Sequence, residues 1–126
     1  MGITKGDYSM YKIIFYRDQS GREPVFEYLQ ELKTHSDKNN RINMDKINDY
    51  IQALSEHGTR IGEPFVKHLE DEIWELRPIK NRILFAAWID GSFILLHNFV
   101  KKTQKTPKRE IEKAKRNLRD FTERSR

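Results

Sequence analysis

The sequence predicts an α+β domain: a twisted, mainly antiparallel sheet with two helices packed on it from the N-terminal side and one helix after it, in the order β-α-α-β-β-β-β-α. Three observations carry that prediction. Apolar residues recur at helical spacing between Val25 and Leu54, the period falls to two between Phe65 and Val100, and an amphipathic stretch behind a proline closes the chain after Thr106. A length of 126 residues suits a single domain spanning 1–126.

Each element has its own signal. Residues 1–9 carry two glycines and no periodicity and read as a loose leader. Tyr11 to Tyr16 is aromatic and β-branched, which suits a strand. Ser20 and Glu23 have the spacing of a capping box, while Pro24 fits the first position of a helix instead; Val25, Phe26, Leu29 and Leu32 continue that helix to about Thr34. The polar stretch His35 to Asn40 separates it from a second helix marked by Met44, Ile47, Ile51 and Leu54, which stops near Gly58. Four strands follow: Phe65 to Glu70, Ile73 to Ile79, Arg82 to Ile89 and Ser92 to Val100. Their connections are Asp71-Glu72, Lys80-Asn81 and Asp90-Gly91, the last a strong type I′ hairpin signal because both central residues need positive φ. Thr106-Pro107 reads as an N-cap with proline at the first helical position. Ile111, Ala114, Leu118 and Phe121 then form the apolar stripe of the third helix.

Composition narrows the chemistry. With 37% hydrophobic and 34% charged residues the chain borders on disordered compositions, but 11% aromatic content and runs such as Phe93-Ile94-Leu95-Leu96 favour a packed core. The absence of a long apolar run or an N-terminal apolar h-region points to a cytoplasmic chain with no membrane association. Zero cysteines remove disulfides, thiolate metal sites and cysteine nucleophiles. Glycine-rich phosphate loops and Gly-x-Ser-x-Gly elbows do not occur, and the four histidines lack metal-ligand spacing, so no cofactor or metal is expected. The net charge of +5 is unevenly placed. Residues 1–100 hold 13 Lys/Arg against 15 Asp/Glu, whereas residues 101–126 hold 11 against 4. Such a basic terminus is either a solvated helix face or the surface that meets an anionic partner.

Alternation puts Trp74 and Leu76 on one face of a strand and Ile73, Glu75 and Arg77 on the other. Arg77 and Glu75 stand about 7 Å apart along it, close enough to support each other. Arg82 opens the next strand, so pairing brings two guanidiniums together. They repel unless an anion lies between them, and the planar fork of arginine suits a phosphate. The competing reading is a surface ion pair of Arg77 with Glu75. His97, Phe99 and Lys101 share a face of the last strand, setting an imidazole, an aromatic plane and a cation in line before Lys102 and Lys105; Phe99 is either core or a stacking platform for a base. Lys67 and His68, on the first strand of the meander, are isolated polar groups that also fit a solvated edge. If this inventory catalyses anything, RNA cleavage fits. RNA brings its own nucleophile in the 2′-OH, and the protein has only to move protons and stabilise a crowded phosphate.

The run Val66-Lys67-His68-Leu69, then Ile73 to Arg77, Asn81 to Phe85 and Leu95 to Pro107, with Glu110 to Ala114 behind it, resembles the phage-related HigB-like branch of the RelE/ParE toxin superfamily over roughly residues 11–120. The resemblance implies a RelE-like fold and the toxin of a type II toxin–antitoxin system, a ribosome-dependent, metal-independent mRNA endonuclease in the cytoplasm. It implies mRNA and the ribosome as partners and neutralisation by a cognate helix-turn-helix antitoxin, HigA-like. Carried across, catalysis falls to Arg77, Arg82, Lys101, Lys102 and Lys67, and RNA binding to Phe99, His97, His68 and Lys105. The turn Asp71-Glu72 departs from the glycine common in relatives. Two alternatives stay open: a ParE-like toxin that inhibits DNA gyrase, and a non-catalytic basic nucleic-acid-binding module.

Overall fold

The computed structural model describes residues 10–35 and 37–125, so the expected leader at 1–9 lies outside the described residues. Strand β1 (Lys12–Phe15) is followed by helices α1 (Pro24–Thr34) and α2 (Lys38–His57), a 3-10 turn (Gly58–Ile61), strands β2 (Val66–Glu70), β3 (Ile73–Leu76), β4 (Asn81–Trp88) and β5 (Ser92–Val100), and helix α3 (Lys108–Arg124). The sheet order is β1-β5-β4-β3-β2, with β1 parallel to β5 and every other pair antiparallel. This is the α+β architecture that the sequence predicts, and it is consistent with a RelE-like fold.

The sheet is the middle of three layers. Val25, Leu29, Ile47, Ile51 and Leu54 of α1 and α2 bury against Leu76, Ile83, Phe85, Phe93 and Leu95 on one face. On the other, Ala114, Leu118 and Phe121 of α3 cover Ile73, Leu84, Ala86, Ile94 and Leu96. Full burial of a Leu or Ile side chain contributes roughly 1.5–3 kcal/mol. A sheet covered on both faces accounts for the continuous apolar run through β5.

Several boundaries differ from expectation, each for a local reason. Helix α1 begins at Pro24 behind Glu23, which makes no side-chain cap bond; Ser20 is instead tied to Asp18 Oδ1 by its backbone N–H and its hydroxyl. Helix α2 starts earlier than its apolar stripe, because Asp37 caps it by accepting from the Asn40 backbone N–H at 2.8 Å. It stops at Gly58, whose φ is +66° and where a Cβ would stand 2.9 Å from the Tyr11 ring. Strand β3 ends at Leu76 rather than Ile79, since Pro78 has no N–H to give and Ile79 adopts φ +59°. The Asn81 N–H closes a turn on the Pro78 carbonyl, which places Asn81 in β4 rather than in the expected two-residue turn. The β4–β5 hairpin has positive φ at both Asp90 and Gly91, the type I′ pattern. Thr106 does not cap α3: the N-cap is Pro107, without a side-chain bond.

Candidate functional site on the sheet face beside α3

Register decides which polar side chains share a surface. Lys67 pairs with Glu75, Glu75 with Leu84, Arg82 with Phe99 and Leu84 with His97. Directly paired residues point the same way, and Leu84 lies on the α3 side. Lys67, Glu75, Arg82, His97 and Phe99 therefore share the face that α3 covers only in part, joined by alternation by Arg77 and Lys101. His97 reaches it through a bulge. Leu84 and Phe85 pair with His97 and Leu95, leaving Leu96 unpaired, so Leu96 and His97 both turn toward α3. The sequence-derived cluster is thus brought together, with one exception. His68 pairs with Trp74, their rings 5.1 Å apart, on the opposite face, and its Nε2 lies 2.7 Å from the Asp71 carbonyl oxygen.

The centre of the face is a carboxylate. Glu75 is 1% exposed. Its Oε1 lies 3.5 Å from Arg77 Nε and 3.9 Å from Arg82 Nε, and its Oε2 accepts from the Thr106 hydroxyl. The anion expected between the two arginines is supplied by the chain itself. Burying an ion pair is costly unless each charge is compensated, and two cations with a hydroxyl provide that compensation here. Arg82 is committed to this arrangement: its side chain is 7% exposed, and Nη1 donates to the carbonyls of Ile79 at 2.9 Å and Asn81 at 2.8 Å. Burial draws its guanidinium below the ordinary arginine value, and the Arg77 charge acts the same way, with Glu75 opposing. Arg77 is differently placed. Its side chain is 24% exposed, it has a distant second partner in Glu63 at 3.9 Å, and its buried Nε makes no hydrogen bond. Of the two arginines, Arg77 keeps capacity for an incoming anion.

Beyond β5 the chain folds back toward the sheet. The Lys101 N–H donates to the Lys80 carbonyl at 2.7 Å. Lys101, Lys102, Lys105 and Phe99 line a small cavity over Arg82, of about 10 Å³. His97 Nε2 lies 2.6 Å from Glu110 Oε1, and its ring stacks on Phe99 at 6.0 Å and 26°. Sharing the 101–107 segment with that cavity, an open groove of about 1010 Å³ runs between the end of β5 and the first turn of α3.

The expected pairing of Arg77 with Glu75 is present, but sequence reasoning missed that Glu75 is buried and shared with Arg82, and it missed the roles of Thr106 and Glu110. Alternation places Glu75 beside Arg77, but its central position depends on Arg82 arriving from the next strand. Thr106 sits 31 residues from its partner and Glu110 13 from His97, separations with no local signal. Behind the face, the Tyr28 hydroxyl donates to Asn81 Oδ1 and Asn81 Nδ2 to Asn43 Oδ1, tying α1 and α2 to the strand start that holds Arg82.

Among the described residues no three His, Asp or Glu side chains converge as a metal site. No described helix is long and apolar enough to cross a membrane. Fold and site together define a class: a small α+β protein of RelE-like architecture presenting a cationic sheet face beside a basic terminal helix. Residues 27–119 match the family described as phage derived protein Gp49-like (DUF891), and the chain belongs to that family. No curated protein is matched by the chain.

Proposed function

We propose that the chain is the toxin of a type II toxin–antitoxin pair, of the HigB-like branch of the RelE/ParE superfamily, and cleaves mRNA on the ribosome in the cytoplasm. The observation that carries the reading is the convergence of Arg77, Lys67 and Lys101 on one open sheet face around a carboxylate-anchored Arg82. Membership of the Gp49-like family accords with the resemblance of residues 66–107 to the superfamily.

In this reading the 2′-oxygen attacks the adjacent phosphorus, the bond to the 5′-oxygen breaks, and the products are a 2′,3′-cyclic phosphate and a free 5′-hydroxyl. One proton leaves the 2′-OH and one reaches the departing 5′-oxygen. Arg77 meets the phosphate, because it is the more exposed of the two arginines and Arg82 is committed to carbonyl oxygens. Arg82 acts through Glu75, holding the carboxylate that orients Arg77. Lys101, Lys102 and Lys67 position the phosphate and exchange the protons, and Phe99 and Lys105 contact the flanking nucleotides. Fixed cations on a developing phosphorane charge contribute about 10²–10³ in rate each.

Induced expression of the chain is the test. Growth arrest should come with mRNA cut inside reading frames, mapped by primer extension, and Arg77→Ala should abolish both. Arrest with intact mRNA and altered plasmid supercoiling would overturn the reading in favour of a gyrase inhibitor. RNA binding without arrest or cleavage would leave a nucleic-acid-binding module. A neighbouring helix-turn-helix protein, HigA-like, should restore growth when co-expressed.

A further inference from the structure

We propose that the groove between the end of β5, the 101–107 segment and the first turn of α3 is a binding site for single-stranded RNA, separate from the Arg77 cluster and continuous with it. The inference rests on the reading of the chain as an RNA-cleaving toxin and deepens it by saying where nucleotides beyond the cut bond lie. The groove, of about 1010 Å³, has an apolar floor of Phe99, Val100, Pro107 and Ile111. Lys102, Lys105, Lys108 and Arg109 stand on its rim. Its two carboxylates are already engaged, Glu70 by Lys108 and Lys115 and Glu110 by His97 and Arg109. Among the described residues, no carboxylate pairs with Lys102 or Lys105, both of them exposed.

An apolar floor with one aromatic ring, Phe99, under a cationic rim offers a single strand what it needs: a planar surface for a base and point charges for phosphates. Phe99 lines both this groove and the small cavity over Arg82, as do Lys102, Lys105, Thr106 and Pro107. The 101–107 segment is therefore a shared wall, and a strand leaving the Arg77 cluster has a cationic path past Phe99 into the groove. An acidic peptide would satisfy the rim but make no use of the Phe99 ring, so RNA is the better occupant. Duplex is disfavoured because its bases are not free to stack.

The test measures binding of a fluorescent, fully 2′-O-methylated RNA oligonucleotide, which the proposed reaction does not cut, to the full chain by anisotropy across a salt series. Lys105→Glu with Arg109→Glu should weaken binding by about tenfold or more and flatten the slope of log K against log salt by about 1.4, the value for two lost contacts to a single strand. Lys33→Glu with Lys46→Glu, the same charge change on α1 and α2, should leave affinity unchanged. Phe99→Leu keeps apolar bulk and removes the aromatic plane. It should weaken binding to the oligonucleotide but not to the same backbone with abasic residues, provided circular dichroism shows the fold retained. A deca-glutamate peptide should fail to displace the RNA at equal concentration. Unchanged affinity in the groove variant, equal losses in the α1/α2 control, or displacement by the peptide would overturn the groove as an RNA site. None of these outcomes depends on cleavage. Absence of ribosomal cleavage by the unsubstituted chain would refute the function proposed above and leave this result standing.

Discussion

Glu75 is the residue on which the candidate site turns. A glutamate on the same strand face as Arg77 was legible from alternation, and so was the need for an anion between Arg77 and Arg82. That the two were one and the same was not, because the geometry requires β4 to deliver Arg82 and a distant threonine to close the far side. Glu75→Gln leaves two arginines facing a neutral amide, the situation in which a buried pair loses one partner. We expect a loss of about 3 kcal/mol in urea denaturation, with part of it recovered on adding inorganic phosphate. Failure of phosphate to restore any stability would mean that the space between the arginines is closed to anions. Thr106→Val removes the hydroxyl that Glu75 accepts from and should cost about 1 kcal/mol by the same measurement. Phe99 and Lys101 reached the expected face because β5 keeps its period after the bulge, whereas His68 went to the other face by that same alternation.

At the scale of elements, helices and strands were readable wherever their apolar period was unbroken, and misjudged where a single backbone group decided the end. The turn from β3 to β4 is the clearest case. Ile79, β-branched and 47% exposed, is held at φ +59° while its carbonyl accepts from Arg82. An L-residue in that region costs on the order of 1–2 kcal/mol, a cost a surrounding structure tolerates where it fixes a site. Ile79→Asn should therefore stabilise the fold by about 1 kcal/mol in chemical denaturation, because asparagine tolerates the left-handed region. Helix α3 is anchored at its middle and near its end. At its middle, Lys115 bonds Asp71 and Glu70, which hold its ammonium above the ordinary lysine range. Near its end the Tyr16 hydroxyl donates to Asp120 at 2.6 Å. Burial, then Asp120, pushes the Tyr16 phenol up to about 12. A folded value raised above the unfolded one, about 10, gives stability that is complete below pH 10 and is lost as pH rises toward 12. The thermal midpoint should fall across that window, and Tyr16→Phe should make the fall shallower while lowering the midpoint at pH 7 by about 3–5 °C. An equally steep alkaline fall in the variant would assign the loss to other groups.

For the whole molecule, the charge division is the most informative quantity in the sequence. The surplus of 11 basic over 4 acidic residues after position 100 sits on a segment that leaves the sheet face and returns over it as α3. The arginines of the near-neutral first hundred residues supply the other half of the cationic surface, drawn in by sheet register that no charge count could reveal. The third layer had the same origin: α3 was legible as a helix, but which face it covers is set by the packing of Ala114, Leu118 and Phe121 on Leu84, Ala86, Ile94 and Leu96, contacts between distant segments with no local signal. In the proposed function this face cuts mRNA by means of the RNA's own 2′-hydroxyl, with Arg77 on the phosphate. Its most direct test is cleavage of a defined mRNA in purified, programmed ribosomes, read by primer extension, comparing the ordinary message with one carrying a single 2′-deoxy residue on the 5′ side of the cut. A single cut is expected in the first message, none at that position in the second, and a loss of about 10²–10³ in rate for Arg77→Ala. A cut that survives the 2′-deoxy substitution, or an Arg77→Ala chain that cleaves at the wild-type rate, would contradict it.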